Sequence, residues 1–302
     1  MDDSGFIRLV DCRVAIVGLG LMGGSLALAL RGAKACREVV GVDTDPATLA
    51  FALTHHIVDR TAEFEAALDC DLLVLAAPVR VILAQLAALS EQNADDRPQT
   101  TDDRAARRTT VVLDLGSTKS QIVSAMEKLP PGFDPLGGHP MCGKEMSGIA
   151  NAEADLFWGK AFVLTPLART SPAALVLVGE LIAAIGAVPL VLLAEQHDKL
   201  AAVTSHLPYI VAAALVRAAE AVSNEQLWAL AASGFRDTSR LAVSDLTMMI
   251  DILLTNRSAI LDALSRYRTE LDSLIMLIDE GNPDALRAAL VPAQVRRADL
   301  YK

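Results

Sequence analysis

The stretch RVAIVGLGLMGGSLALAL, residues 13–30, constrains the fold of this chain more than any other. A β-branched apolar run leads into Gly18-x-Gly20-x-x-Gly23, and an amphipathic helical pattern leads out of it. The first glycine permits a tight turn, the second lets backbone approach a pyrophosphate, and the third lets helix and strand pack closely. Alone, such a motif is a weak signal, and the competing reading is a glycine-rich strand-to-helix turn without a ligand. The strand before it and the helix after it supply the context of a dinucleotide-binding unit, with the backbone N–H groups of Leu21 and Met22 offered to the phosphates at the helix start. A second apolar run, EVVGVD, ends at Asp43, close to the spacing at which a carboxylate takes the ribose hydroxyls of NAD. That carboxylate would repel a 2′-phosphate and no arginine stands beside it, so the pattern favours NAD over NADP. Further on, DCDLLVLAAPV places Ala76, Ala77 and Pro78 at a strand C-terminus, where ligands of open parallel sheets sit, against the plainer reading of an ordinary strand end.

Short β-rich runs alternate with helical stretches from residue 9 to 194, the mark of a mostly parallel sheet covered on both faces. The predicted strands are Arg13–Val17, Glu38–Asp43, Leu72–Ala76, Val111–Asp114, Asp134–Gly137, Ala161–Thr165 and Val188–Leu193. One apolar stretch, Ala173 to Ala194, mimics a membrane span, but Glu180, Gly186 and Pro189 interrupt it, so it reads as a core helix ending at Gly186 and then a buried strand. The polar stretch 90–110 reads as a solvated insertion. After Glu195 the strand signal stops, and helices are expected over about 196–221, 224–232, 240–254, 256–279 and 283–300. A chain of 302 residues is long enough for two domains, and the break suggests a Rossmann-type dinucleotide-binding domain over 1–194 and an all-helical domain over 195–302. Helices so rich in small apolar residues bury more surface than one such domain encloses, so they are expected to intertwine with a second copy as a homodimer.

Hydrophobic residues make up 52% of the chain, enough to fill both cores, while the formal charge of −10 disfavours nucleic acid and anionic membranes. The same charge repels an anionic substrate, so a carboxylate ligand would need a cationic anchor inside its site. The four cysteines, Cys12, Cys36, Cys70 and Cys142, lack paired spacing, which argues against zinc or disulfides and fits a reducing compartment. The acidic start MDDSGFIRLVDC does not resemble an export signal, so a cytoplasmic protein is expected.

A bound nicotinamide requires a group that gives or takes hydride and a base for the accompanying proton. In PLGGHPMCGKEMSG, His139 stands between glycine and proline just beyond a predicted strand, and LDLGSTKS puts Ser117 and Lys119 just beyond another. Both loops should converge on the cofactor. Histidine needs little pKa shift to act as a base near neutral pH, and a serine hydroxyl can hold the reacting oxygen in line with it. A solvated turn histidine is the competing reading, and Lys119 reads equally well as a structural cation at a helix start.

In this order, VGLGLMGGSLA, DLGSTKS, GGHPMCGKEMSG, SHLPYIVAAAL and GFRDTSRLA resemble the prephenate/arogenate dehydrogenase family of tyrosine biosynthesis across most of the chain. The resemblance implies an N-terminal dinucleotide domain, a helical dimerisation domain and NAD-dependent oxidative decarboxylation of prephenate to 4-hydroxyphenylpyruvate. It places the catalytic histidine on His139, the hydroxyl-orienting serine on Ser117, an acidic position on Glu145 and the substrate-carboxylate arginine on Arg240, the anchor that the net charge demands. Ser205, His206 and Tyr209 are expected near the substrate, with His206 equally readable as a helix-packing residue. His197 and Asp198 resemble a family pair and read as caps at the domain junction rather than ligands, and Cys142 as a space-filler. Tyr209 and Met249 stand where some prephenate-specific members carry histidine and tryptophan, which leaves arogenate as an alternative substrate. A β-hydroxyacid dehydrogenase would need a catalytic lysine in the helical half, where Lys199 lacks the expected glycine-rich surroundings. A non-catalytic NAD-sensing dimer would leave His139, Ser117 and Arg240 unexplained.

Overall fold

The computed structural model describes residues 7–91, 109–144 and 146–300. Most of the predicted polar insertion, residues 92–108, therefore lies outside the described residues, as does Glu145. The strands are β1 (Arg13–Val17), β2 (Glu38–Val42), β3 (Arg60–Thr61), β4 (Leu72–Leu75), β5 (Thr110–Asp114), β6 (Phe133–Pro140), β7 (Ala161–Pro166) and β8 (Val188–Val191). They form one sheet in the order β3-β2-β1-β4-β5-β6-β7-β8. All neighbours run parallel except β6 and β7. The order reverses between β1 and β4, which opens a crevice beyond their C-terminal ends, the usual ligand position in sheets of this kind. Central strands such as β4 and β5 are buried along their whole length, which explains why they read as unbroken apolar runs.

Two apolar cores lie on opposite faces of this sheet. One gathers Leu26 and Leu30 of the helix Leu21–Gly32 with Leu177 and Leu181 of the helix Pro172–Ala184. The other gathers Ile82 and Leu86 of the helix Val79–Ser90 with Ile122 and Met126 of the helix Ser120–Met126.

The structure corrects three expectations. First, β6 continues through His139, which faces Val163 across the antiparallel ladder with β7, so this histidine is held by a strand rather than a turn. Pairing with β7 overrides the local glycine and proline signal. Second, β8 is not buried: it is the edge strand, and Val188 and Val191 are 55% and 63% exposed in the single chain. Third, the helix expected over 240–254 is broken by a 3-10 turn at Arg240–Val243, and Asp245 starts a new helix, Leu246–Thr255, by accepting a hydrogen bond from Met248 N at 2.8 Å. The short strand β3 and the helix Ser233–Ser239 have no counterpart among the predicted elements.

The helical half begins with a continuous rod, Ala194–Glu220, of 27 residues and mean hydropathy 1.4. Length and composition alone would let it cross a bilayer, but its first turns carry His197, Asp198 and His206, all buried against polar partners. A rod fixed in this way belongs to a folded domain. It contains a π-helical turn, Ala202–His206, a local widening that often marks functional sites. The core of this half is thin, with Ala202, Tyr209, Met249, Ile252, Ile260 and Ala263 as its buried members. The helix Arg257–Glu280 buries only Ile260 and Ala263.

Gly23 and Gly20 make opposite demands on the nucleotide loop. A Cβ at Gly23 would lie 1.9 Å from Gly18 O, whereas one at Gly20 would meet nothing within 4 Å. Gly23→Ala should therefore destabilise the fold by about 2 kcal/mol or more, seen as a lowered thermal midpoint, because backbone must move. Gly20→Ala should leave the midpoint unchanged while weakening NAD binding in calorimetry, since the space it fills is where backbone would meet the pyrophosphate. Equal midpoints for the two variants would contradict this division of roles.

Candidate active site

The nucleotide cradle is assembled at the switch point. Gly18 has φ +95, and a Cβ there would come within 2.9 Å of the Ala76 carbonyl, so the glycine turn lies tightly against the Ala76–Ala77 segment. The helix Leu21–Gly32 starts at Gly20 without a side-chain cap, leaving its first N–H groups, including those of Leu21 and Met22, directed outward. Asp43 follows β2 directly, and its carboxylate accepts hydrogen bonds from Leu19 N at 2.8 Å and Asp45 N at 2.9 Å. These bonds hold it at the cradle's rim. Pro78 begins the helix Val79–Ser90, so Ala76, Ala77 and Pro78 line the crevice from the β4 side. An open backbone position, an uncapped helix start and a fixed carboxylate fit NAD.

The histidine cluster lies at the C-terminal ends of β5 and β6. His139 Nδ1 is 2.8 Å from His197 Nε2, and His197 Nδ1 is 2.9 Å from Asp198 Oδ1. Asp198 also accepts hydrogen bonds from Lys119 N at 2.7 Å and Ser120 N at 2.8 Å. Burial raises its pKa, but the bonds from His197, Ser120 and Lys119 outweigh burial and hold it down at about 2. A carboxylate that stays ionised fixes the tautomers beyond it. The His197 Nδ1–H donates to Asp198, so His197 Nε2 accepts, so the His139 Nδ1–H donates. The remaining ring nitrogen of His139, Nε2, is left with a lone pair and with no hydrogen-bond partner among the described residues. Burial pushes the His139 pKa well below the ordinary histidine value, and electrostatic repulsion from the neighbouring basic side chains, Lys119 among them, acts in the same direction against Asp198. The ring is therefore neutral and able to take a proton.

Beneath the cluster, Lys119 and Asp114 form a fully buried ion pair. Asp114 also accepts from Gly116 N at 2.8 Å and Gly138 N at 3.0 Å, so one carboxylate ties the loop bearing Ser117 to the strand bearing His139. Lys119 is thus structural. Ser117 stands half-buried on that loop. On the helical side, Asn256 donates to Asp198 O at 2.8 Å and lies 3.3 Å from His206 Nδ1. Burial lowers the His206 pKa to about 4, with the Asp198 charge opposing the shift.

Not every expected residue joins this cluster. Ser205 is exposed on the π-helical turn, and Arg240 is exposed at the start of its 3-10 turn. Tyr209 and Met249 pack into the small helical core. His197 and Asp198 need correction as well. Asp198 does cap the helix Ser120–Met126 across the junction, but His197 touches His139 directly. The sequence signal for this was the adjacent His–Asp pair at a helix start. Asn256 gave no signal, because an asparagine after an amphipathic helix reads as an ordinary terminus.

A parallel sheet with a switch-point nucleotide cradle and a neutral, oriented histidine beside it defines a nicotinamide-dependent dehydrogenase. The comparisons narrow the class. Residues 26–191 match the nucleotide-binding domain of prephenate dehydrogenase, and residues 193–291 match its dimerization domain. The chain belongs to the prephenate dehydrogenase family. It is 31% identical over 280 residues to the prephenate dehydrogenase of Bacillus subtilis, covering 90% of this chain and 72% of that protein. The crystal structure of the Aquifex aeolicus prephenate dehydrogenase in complex with hydroxyphenyl propionate and NAD+ superposes with a TM-score of 0.84 at 31% identity, covering 95% of this chain and 98% of that one. Synechocystis arogenate dehydrogenase does so with a TM-score of 0.77 at 30% identity, covering 95% and 99%.

The buried histidines make stability depend on pH. Above the ordinary histidine value of 6.5, His206 is neutral in both folded and unfolded chains. As the pH falls from 6.5 toward about 4, the unfolded chain takes up a proton that the folded chain refuses, so stability is lost across that window. His139 acts in the same direction. Urea midpoints should fall between pH 7 and pH 4.5, and His206→Gln should flatten part of that slope. An unchanged slope in the variant would show that His206 is charged in the folded state.

Proposed function

We propose that the protein catalyses the NAD-dependent oxidative decarboxylation of prephenate to 4-hydroxyphenylpyruvate, with residues 1–194 binding the nucleotide and residues 195–302 forming the helical substrate and dimerisation domain. The observation that carries this reading is the chain Asp198–His197–His139, which presents an unprotonated Nε2 near the C-terminal end of β6. His139 Nε2 takes the proton of the ring hydroxyl, and Ser117 holds that oxygen in line. The nucleotide cradle would hold NAD, which would supply the acceptor for the hydride of the carbinol carbon. The ring carboxylate departs as carbon dioxide, its bonding electrons complete the aromatic ring, and the proton held on His139 returns to the phenolate oxygen of the product. His197 and Asp198 stabilise the imidazolium that forms, as an oriented carboxylate does for a general base. Arg240 anchors a substrate carboxylate, Glu145, Ser205, His206 and Tyr209 remain assigned to substrate recognition, and Asp43 takes the ribose hydroxyls. Arogenate is the second reading, supported by the likeness to an arogenate dehydrogenase and by Tyr209 and Met249 at the two positions of departure.

The protein works as a homodimer through its helices, which supports the thin helical core: Leu271, Ile275 and Ile278 lie exposed along one helix in the single chain. Free cysteines fit the cytoplasm. Assay with prephenate or arogenate and with NAD or NADP, followed by absorbance of the reduced cofactor, should give the highest kcat/KM with prephenate and NAD. His139→Asn should keep NAD binding but lower kcat by roughly two to four powers of ten. The acid limb of the wild-type profile should lie below the ordinary histidine range, as the depressed pKa of His139 requires, and should vanish in the variant. Wild-type turnover in His139→Asn would remove the base from this scheme.

Arg240→Gln should raise the substrate KM about ten- to a hundredfold with a smaller change in kcat, since a charge-assisted bond contributes about 1.5–3 kcal/mol to both ground and transition states. Lysine should rescue it only partly, because an ammonium lacks the planar two-point contact. Unaltered KM with an altered sedimentation coefficient would assign Arg240 to the dimer interface instead.

A further inference from the structure

The helical domain places two buried carboxylates on the N-terminal turns of two sheet helices. Asp198 accepts from Lys119 N and Ser120 N at the helix Ser120–Met126. Asp251, 5% exposed, accepts from Arg80 N at 3.0 Å at the helix Val79–Ser90, whose own N-cap, Pro78, makes no side-chain cap. The second of these bonds lies where the mechanism above does not use it. Arg80 is two residues beyond Pro78, and the preceding Ala76–Ala77 segment abuts the Gly18 turn so closely that a Cβ on Gly18 would reach the Ala76 carbonyl at 2.9 Å. A carboxylate from the helical domain thus fixes the helix start that carries one wall of the nucleotide cradle. One turn further along the same helix, Thr255 Oγ1 lies 2.9 Å from Thr118 Oγ1, and Thr255 O accepts from Gln121 Nε2 at 3.1 Å. Those contacts serve the Ser117 loop, not the cradle.

We propose that Asp251 is a positioning residue for the cofactor: an N-cap supplied by the helical domain that sets the Ala76–Pro78 wall of the nucleotide cradle. The proposal rests on the reading that the cradle binds NAD. An N-cap needs an acceptor oxygen close to a helix N–H, and a charged acceptor is further favoured by the helix dipole. An amide oxygen retains the first property and loses the second, while an alkyl side chain of similar size loses both.

The test pairs Asp251→Asn with Asp251→Leu and uses Thr255→Val as the control on the same helix. NAD affinity is measured by calorimetry, and backbone hydrogen exchange of the Arg80 amide is followed without cofactor. In Asp251→Leu, NAD should bind about five- to tenfold more weakly, and the Arg80 amide should exchange faster by a similar factor. Asp251→Asn should restore both to within about threefold, and Thr255→Val should leave NAD affinity unchanged. A split of this kind does not arise from general loosening of the helix, which would weaken the Asp251→Leu and Thr255→Val variants alike. Should Asp251→Leu fail to fold, wild-type exchange alone decides, because the Arg80 amide must be protected before NAD is added. Unprotected exchange there, or equal NAD affinity in folded Asp251→Leu and wild type, overturns the role of Asp251. A wild-type protein that binds no NAD overturns the underlying reading instead.

Discussion

One carboxylate, Asp198, organises the active site. It accepts two backbone N–H groups at the start of a sheet helix and the Nδ1–H of His197, so three donors from two domains converge on two oxygens. Its low pKa keeps it charged over the physiological range, and the charge is what makes the two-histidine chain directional. A neutral side chain of the same shape would leave His197 free to turn, and His139 could then present a proton where a lone pair is needed. Removing this carboxylate would leave buried donors without an acceptor, at about 1–3 kcal/mol each, so the interaction fastens the junction as well as orienting the histidines.

The second constraint is the buried Asp114–Lys119 pair. Burial lowers the Lys119 pKa, while the charges of Asp114 and Asp198 hold the proton on. Asp114 uses its remaining capacity on Gly116 N and Gly138 N, and those glycines have no room for side chains: a Cβ at Gly138 would approach Asp114 O to 2.6 Å. The two loops that carry Ser117 and His139 are therefore fastened to one carboxylate. The cation does a second thing. Lying close to His139, it opposes a positive charge on that ring and favours its unprotonated form.

Much of this was legible in the sequence because it rests on local rules. The glycine spacing, the carboxylate after β2 and the apolar strands each declare themselves within a few residues, and the order of five motifs carried the family. What was not legible depends on residues far apart in sequence. His139 reads as a turn residue between glycine and proline, yet pairing with β7 extends its strand. His197 reads as a cap, yet it reaches a histidine that precedes it by 58 positions. Val188–Leu193 reads as a core strand from its composition, yet the strand observed there, Val188–Val191, closes the sheet at an edge. Asp251 and Asn256 look like ordinary helix residues, since nothing in their neighbourhood indicates which helix end or which carbonyl they meet.

The character of the domain junction follows from the thinness of the helical core. Apolar contact is roughly proportional to area and indifferent to direction, so two domains joined by it can slide or rotate. Here Asp198, Asp251, Thr255 and Asn256 join the helices to the sheet by hydrogen bonds, whose energy falls steeply when angle or distance changes. A reaction in which a hydride and a proton leave one substrate carbon and its oxygen requires the cofactor wall, the base and the substrate's anchor to keep fixed relative positions. The cofactor wall belongs to the sheet domain and the orienting pair His197–Asp198 to the helices. Directional bonds across the junction are what make their separation a property of the fold rather than of the moment.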